Sequence, residues 1–317
     1  MSRLLNLLRN ETMKVYIRPR TWILTGLLML ITGIAAVVLH TAPEEQAGGQ
    51  GWKAAVRQSI EASKQDLEDP GVPDSRKKQL RSDIAIGEYS LAHNVPPMET
   101  TLWGGVQSSA ALIPLVTLFT VIIAGDMVAG EFTWGTIKLL LIRPASRSKI
   151  LLAKYMATLL FAAALLLVLL LTTLIVNGFL YGFAQTGMPY LKTTAEGAVR
   201  ESPMLLYILQ TYGLKLIELV MVVTLAFMIS TVFRSASLAI GLSIFIMFAG
   251  QILSFLLLRY SWGKYFLFAN TDLTVYLEGR PPADGMTAGF SVMVLLLYFL
   301  VFNVLSWEIF RRRDVAA

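Results

Sequence analysis

Few side chains in this sequence are placed to do chemistry, and those few are acids and bases set within or beside long apolar runs. Lys215 and Glu218 stand three residues apart in an apolar segment, so a helix puts them on one face. Ionisable groups in such places are costly and often line substrate paths or relay protons. For one isolated pair, the simpler reading is an ion pair within the helix near the interface, with Lys215 snorkelling outward. A second group opens with Asp126 and Glu131 and continues through Phe132, Trp134, Gly135, Thr136, Lys138, Arg143 and Arg147. Disulfides and thiolate metal sites are excluded, because the chain has no cysteine. Its two histidines, His40 and His93, are too far apart in sequence to suggest a metal cluster. No G-x-x-x-x-G-K-[ST] loop, Ser-His-Asp set or H-E-x-x-H pair occurs, so the sequence offers no catalytic residues and no cofactor site of its own. Any work must draw on a partner or on an ion gradient.

The elements that position these residues are long and apolar. Of 317 residues, 55% are hydrophobic and 15% charged, and the mean hydropathy is +0.62. Soluble domains carry about 25% charged residues, so this balance predicts a polytopic membrane protein. The net charge of +6 points to a membrane surface and not to nucleic acid, because the bases gather in segments that flank the apolar runs.

An all-α protein with six membrane-spanning helices is predicted, at about residues 21–39, 107–124, 150–177, 205–233, 236–258 and 289–310. Trp22 to Leu39 alone covers roughly 27 Å as a helix, enough for a bilayer core. Residues 1–20 read as an interfacial helix, with Leu4, Leu7 and Leu8 on one face and Arg3, Arg9, Lys14, Arg18 and Arg20 among the polar positions. A cleaved signal peptide also begins basic and then turns apolar. Against it stand the length of both regions and the lack of a clear small-x-small site after His40. An even number of spans puts both termini on one side, and the bases of residues 1–20, 125–154, Arg234 and Arg311–Arg313 make that side cytoplasmic. The expected location is a bacterial plasma membrane, ending in a cytoplasmic tail at 311–317.

Three loops face outward in this topology. Residues 40–106 are expected to form an extracellular αα-hairpin, two amphipathic helices broken at Asp69-Pro70-Gly71. Its seven bases nominally favour the inside, but ten acids accompany them, and long loops translocate largely regardless of charge. It reads equally as a cap or docking site and as a solvated loop closure. The second outer loop is 178–204. The third, 259–288, is rich in aromatics (Trp262, Tyr265, Phe266, Phe268, Tyr276) and could dip into the outer leaflet if protein shields its backbone.

The internal loop 125–149 is the largest cytoplasmic one. Residues 126–143 mix acids with large apolar groups, as in a helix lying at the membrane face, and 144–154 lead back into the bilayer. Read by themselves, Asp126 and Glu131 are as well explained as solvated acids, and Trp134 as an interfacial anchor. The run Glu131-Phe132-Thr133-Trp134-Gly135-Thr136-Ile137-Lys138, followed by Arg143-Pro144-Ala145-Ser146-Arg147 and Ile150-Leu151-Leu152-Ala153-Lys154, resembles the permease subunit of ABC-2-type ABC transporters (type V exporter-like). The motif likeness covers about thirty residues, and the architectural likeness covers most of the chain. Bacterial members involved in peptide-antibiotic export and immunity share the six-span layout.

The resemblance implies a pair of permease chains, here a homodimer, with two ATPase subunits that bind ATP and Mg and dock on the cytoplasmic loops. It implies that Asp126, Glu131, Phe132, Trp134, Gly135, Thr136, Lys138, Arg143 and Arg147 form a coupling segment, with Glu131 pairing either with the ATPase or with the N-terminal helix. The expected function is export of a hydrophobic or amphiphilic substrate, such as a peptide antibiotic or a lipid-like molecule. The alternative, a gradient-driven carrier or membrane sensor without an ATPase, would use Lys215 and Glu218 on the substrate path.

Overall fold

The computed structural model describes residues 2–41, 51–72, 74–98, 101–137, 145–183, 186–194, 197–279, 281–283 and 285–312. Helices dominate: α1 (Ser2–Ile17), α2 (Pro19–Thr41), α3 (Trp52–Glu68), α4 (Asp74–His93), α5 (Leu102–Ser108), α6 (Ile113–Thr133), α7 (Arg147–Tyr181), α8 (Met204–Val232), α9 (Ala236–Leu257), α10 (Leu267–Asn270) and α11 (Ala288–Arg312). Among the described residues, six helical stretches are long and apolar enough to cross a membrane: Pro19–Thr41, Leu102–Thr133, Arg147–Tyr181, Met204–Val232, Ala236–Leu257 and Ala288–Arg312. The molecule is a mostly helical, multi-pass membrane protein. One departure from helix falls between α7 and α8, where β1 (Pro189–Thr193) and β2 (Val199–Pro203) pair antiparallel with Leu191 opposite Glu201.

Contacts divide the chain into two compact units. The first comprises Met1–Met29, Leu112–Leu169 and Gly213–Ala317, and the second Leu30–Ala111 and Leu170–Tyr212.

In the first unit, proline and hydroxyl chemistry set the bend between α1 and α2. Pro19 lacks the amide that would continue α1, so the chain turns at Arg18 and restarts. Thr21 donates its hydroxyl to the Val15 carbonyl at 2.5 Å, and the Trp22 indole donates to the Tyr16 carbonyl at 2.8 Å. Helices α6 and α9 approach at Gly125, where a Cβ would lie 2.9–3.2 Å from the side chain and backbone of Ile240. Ser230 of α8 spans one turn of α6, donating to the Gly125 carbonyl (2.7 Å) and accepting from the amides of Val128 and Ala129 (3.1 and 3.0 Å).

Several helix ends meet at one end of this unit. The Thr133 hydroxyl accepts from the Ala236 amide at 3.1 Å and so holds the α8–α9 turn, where Arg234 stands, against the end of α6. The Trp307 indole of α11 donates to Ser148 of α7 (2.8 Å), and Arg147 donates to the Arg311 carbonyl (3.0 Å). The basic segments used to orient the chain therefore share one end of the unit.

The segment between α9 and α11, also in this unit, contains short helical turns at Gly263–Tyr265, Leu267–Asn270 and Thr274–Tyr276. Asn270 is buried; it donates to the carbonyls of Lys264 (2.8 Å) and Phe266 (2.9 Å) and accepts from the Ser291 hydroxyl (2.8 Å). These bonds satisfy backbone groups that an irregular segment would otherwise leave bare.

The second unit contains α3 and α4, which pack together around Trp52, Ile60 and Leu80. A Cβ at Gly87 would stand 2.9 Å from Ile60, and Lys64 pairs with Glu88 at 3.0 Å. The two strands lie against α4, through Ser82 and Thr193 (2.6 Å) and a Tyr89 hydroxyl donating to Glu201 (3.1 Å). Tyr190 stacks on Tyr207 with ring centroids 3.6 Å apart.

Two helices extend past the expected segments at both ends. The helical stretch expected at 107–124 begins at Leu102 and ends at Thr133. Asp126 and Glu131 are therefore helix residues. The third span's helix begins at Arg147 and runs 35 residues.

Candidate functional site

Three carboxylates and four bases converge where α1, the start of α2, the end of α6 and the start of α7 meet. Leu4, Leu8, Glu11 and Val15 recur at four-, three- and four-residue spacing, so they fall on one face of α1. That stripe is turned inward at Glu11 and Val15, both 3% exposed. A glutamate in a buried stripe needs partners, since an unpaired buried charge is costly. Lys14, one turn along, pairs with it at 2.9 Å, and Lys154 of α7 at 2.7 Å. Both lysines also reach the same oxygen of Glu131, Lys14 at 3.0 Å and Lys154 at 2.7 Å. The result is a closed ring of alternating charge: Lys14, Glu11, Lys154, Glu131.

Lys154 is 1% exposed, so the ring is what allows it to be buried charged. Burial opposes the charge on Lys14, but Glu11 and then Glu131 outweigh it and hold its pKa above the ordinary 10.5.

Beside the ring, Arg18 and Arg20 both donate to one carboxylate oxygen of Asp126, whose side chain is 5% exposed. Within α6, Asp126 and Glu131 point into neighbouring partners of the same unit and not to water. Their reading as solvated acids is overturned for that reason. Neutralisation by bases from α1, α2 and α7 also explains why α6 continues past 124 instead of ending where acids first appear.

The end of α6 is set by backbone geometry. The amide of Trp134 donates to Gly130 (2.9 Å) and that of Gly135 to Phe132 (3.1 Å), while Gly135 takes φ +67°. Gly135 thus ends the helix in the left-handed region, which an L side chain would strain. The Thr136 hydroxyl returns to the Glu131 carboxylate. Trp134 is left 73% exposed and Ile137 buried. The Trp-Gly-Thr run is thus a helix stop that displays one large aromatic ring. Arg147 lies at the start of α7, bonded to Arg311, whereas Lys138 and Arg143 lie outside the described residues.

Lys215 and Glu218 form the expected pair within one helix, at 2.9 Å. A third member was not expected: Asp272, from the loop before α11, meets Lys215 at 2.9 Å. Burial raises the Asp272 pKa, but bonds from Thr274 and the Lys215 charge outweigh it and leave it lowered. The pair is half-sheltered and held by protein. Among the described residues no cluster of His, Cys, Asp and Glu could hold a metal ion.

Of the residues expected to form the coupling segment, Asp126 and Glu131 lie in buried ion pairs, whereas Trp134 is exposed at the helix stop. Not foreseen was Glu11, which pairs with Lys14 and Lys154 and so closes the ring around Glu131. The available signal was an acid in the apolar stripe of α1.

A cavity of about 770 Å³ lies against these groups, lined among others by Lys14, Arg18, Arg20, Asp126, Glu131 and Lys154. Six helices long and apolar enough to cross a membrane, among the described residues, define the class, a multi-pass membrane protein. Residues 81–316 match the family described as "Protein of unknown function (DUF2705)", and the chain belongs to that family. It is similar to the "Uncharacterized protein YhcI" of Bacillus subtilis (strain 168), with 40% identity over 318 residues, 99% of this chain and 100% of that protein. It is also similar to the "Uncharacterized membrane protein YdbK" of the same organism, with 30% identity over 215 residues, 67% of this chain and 82% of that protein.

Proposed function

We propose that this chain is the membrane-spanning permease subunit of an ATP-binding cassette exporter of the ABC-2 type. It pairs with a second copy of itself and takes its energy from two copies of a separate ATPase, which carry the ATP and Mg. The observation that best supports this reading is the construction of the Glu131–Thr136 segment. Its acid is tied inward to α1 and α7 through Lys14 and Lys154, while Trp134 projects from the helix stop. A push on the exposed ring would be passed to three helices at once, because the buried ion ring is rigid compared with a solvated loop.

In this reading the shared end of α1, α6, α7 and α11 is cytoplasmic, as the concentration of bases there requires. The packed pair α3–α4 and the strands face outside. The membrane is the bacterial plasma membrane, and the cargo is hydrophobic or amphiphilic. Trp134, Phe132 and the 138–143 stretch meet the ATPase. Asp126 and Glu131 belong to the internal transmission and not to the contact itself.

The test is co-expression with a candidate ATPase encoded nearby. The purified chain alone should hydrolyse no ATP, and the ATPase should co-purify. Trp134→Ala should lower the retained ATPase by about tenfold, the loss of a buried aromatic anchor at an interface. Undiminished ATPase binding and transport in that variant would sink the coupling assignment. The carrier reading rests on the Lys215–Glu218–Asp272 triad. Transport that continues without any ATPase and is lost in Glu218→Gln would favour it instead.

A further inference from the structure

The seven charged groups at the end of α6 do not balance. The ring of Lys14, Glu11, Lys154 and Glu131 is neutral, two bases against two acids. The neighbouring trio sets two guanidiniums, Arg18 and Arg20, on one oxygen of Asp126, and so carries one positive charge in excess. The Nε of Arg20 is buried and has no hydrogen-bond partner in the structure. A buried guanidinium N–H is an expensive donor to leave unmade. The cavity of about 770 Å³ opens on this trio, and its other wall is apolar, formed by Val15, Pro19, Ile123, Met127 and Ile240. An anion with an apolar extension fits both walls.

We propose that the Arg18–Asp126–Arg20 trio binds a phosphate group, supplied by the headgroup of an anionic glycerophospholipid. Guanidinium pairs are the strongest side-chain receptors for phosphate. One monoanionic headgroup, held by the guanidinium groups that line the cavity, neutralises the excess charge. Ile23 and Leu27, exposed at 66% and 41%, share the Arg20 side of α2 and continue from it as a track for acyl chains. The trio joins α1, the start of α2 and α6, so a bound lipid would tighten the junction that the ring also holds. Only the assignment to the inner leaflet rests on the orientation proposed above; binding itself is read without an ATPase.

The experiment uses the full chain, purified and delipidated in a neutral detergent. Phosphatidylglycerol, phosphatidylcholine and inorganic phosphate are titrated separately while the melting temperature is followed. Phosphatidylglycerol should raise it saturably, and phosphatidylcholine, whose headgroup has no net charge, should need a far higher concentration. Arg20→Gln should raise the half-saturating concentration of phosphatidylglycerol about tenfold, as expected for one charge-assisted hydrogen bond. Arg20→Lys should fall between the two, and Lys64→Gln should match the wild type. If inorganic phosphate gives the same shift and competes with the lipid, the phosphate site stands and its source is a soluble anion. If Arg20→Gln responds as the wild type does, or if neither probe moves the wild type, the proposal is overturned. Should Arg20→Gln fail to fold, native mass spectrometry of the wild type decides: retention of phosphatidylglycerol over phosphatidylcholine supports the site, and equal retention refutes it.

Discussion

Lys154 is the side chain on which the most depends. It is almost wholly buried and bonded to acids of two different elements, Glu11 and Glu131. Removing one partner of a buried ion pair is much more damaging than removing both, because it strands a charge. Lys154→Met should therefore destabilise the protein by about 3 kcal/mol, read as a fall in melting temperature in detergent. Lys64→Ala breaks only the exposed pair with Glu88 and should cost less than about 1 kcal/mol. The two lowered or raised ionisations give opposite pH windows. With its pKa raised, Lys14 contributes fully below 10.5, and its contribution is lost as the pH rises through the folded value. With its pKa lowered, Asp272 contributes fully above 3.8 and loses its contribution as the pH falls through the folded value. Melting temperature should thus be sensitive to Asp272→Asn at pH 7, and that sensitivity should fade only as the pH falls below 3.8 and through the lower folded value.

At the scale of elements, α6 is fixed by one close crossing and one stop. Gly125 admits the α9 backbone, so Gly125→Leu should force α6 and α9 apart. The expected cost is about 2 kcal/mol or more, typical of overpacking. Gly135→Ala keeps every contact and only strains a left-handed residue, for about 1–2 kcal/mol. Thermal unfolding of both variants measures the stability losses, and ATPase co-purification reports on the display of Trp134. Gly135→Ala should weaken ATPase retention more than its stability loss explains, because the ring is aimed by that cap. Equal effects of the two variants on retention would argue against a role for the cap in coupling.

For the whole molecule, orientation is the prediction that carries the rest. The natural chain has no cysteine, so single substitutions can be labelled without background. Ala62→Cys on α3 should react with a membrane-impermeant maleimide in intact cells. Ser146→Cys, exposed before α7, should react only after lysis. The reverse pattern would invert the topology and remove the ATPase contact from the cytoplasm.

The sequence by itself determined the membrane class and the approximate places of six spans, because burial in hydrocarbon is written into composition and run length. It also determined that the chain has no cysteine chemistry and no phosphate loop. The helical pair at 52–93 was legible from its apolar spacing and the Pro-Gly break. Tertiary structure alone decided what the acids do. Asp126 and Glu131 looked like the start of a solvated loop, since a linear reading cannot see bases that are over a hundred residues away in sequence. Arg18, Arg20 and Lys14 reach them only because Pro19 bends the chain back across α6. The same limit hid Asp272 from Lys215, and Glu11 from Lys154. Charge pairing over long separations is a property of the fold, and it turned an odd amphipathic stretch into a buried junction with one exposed tryptophan.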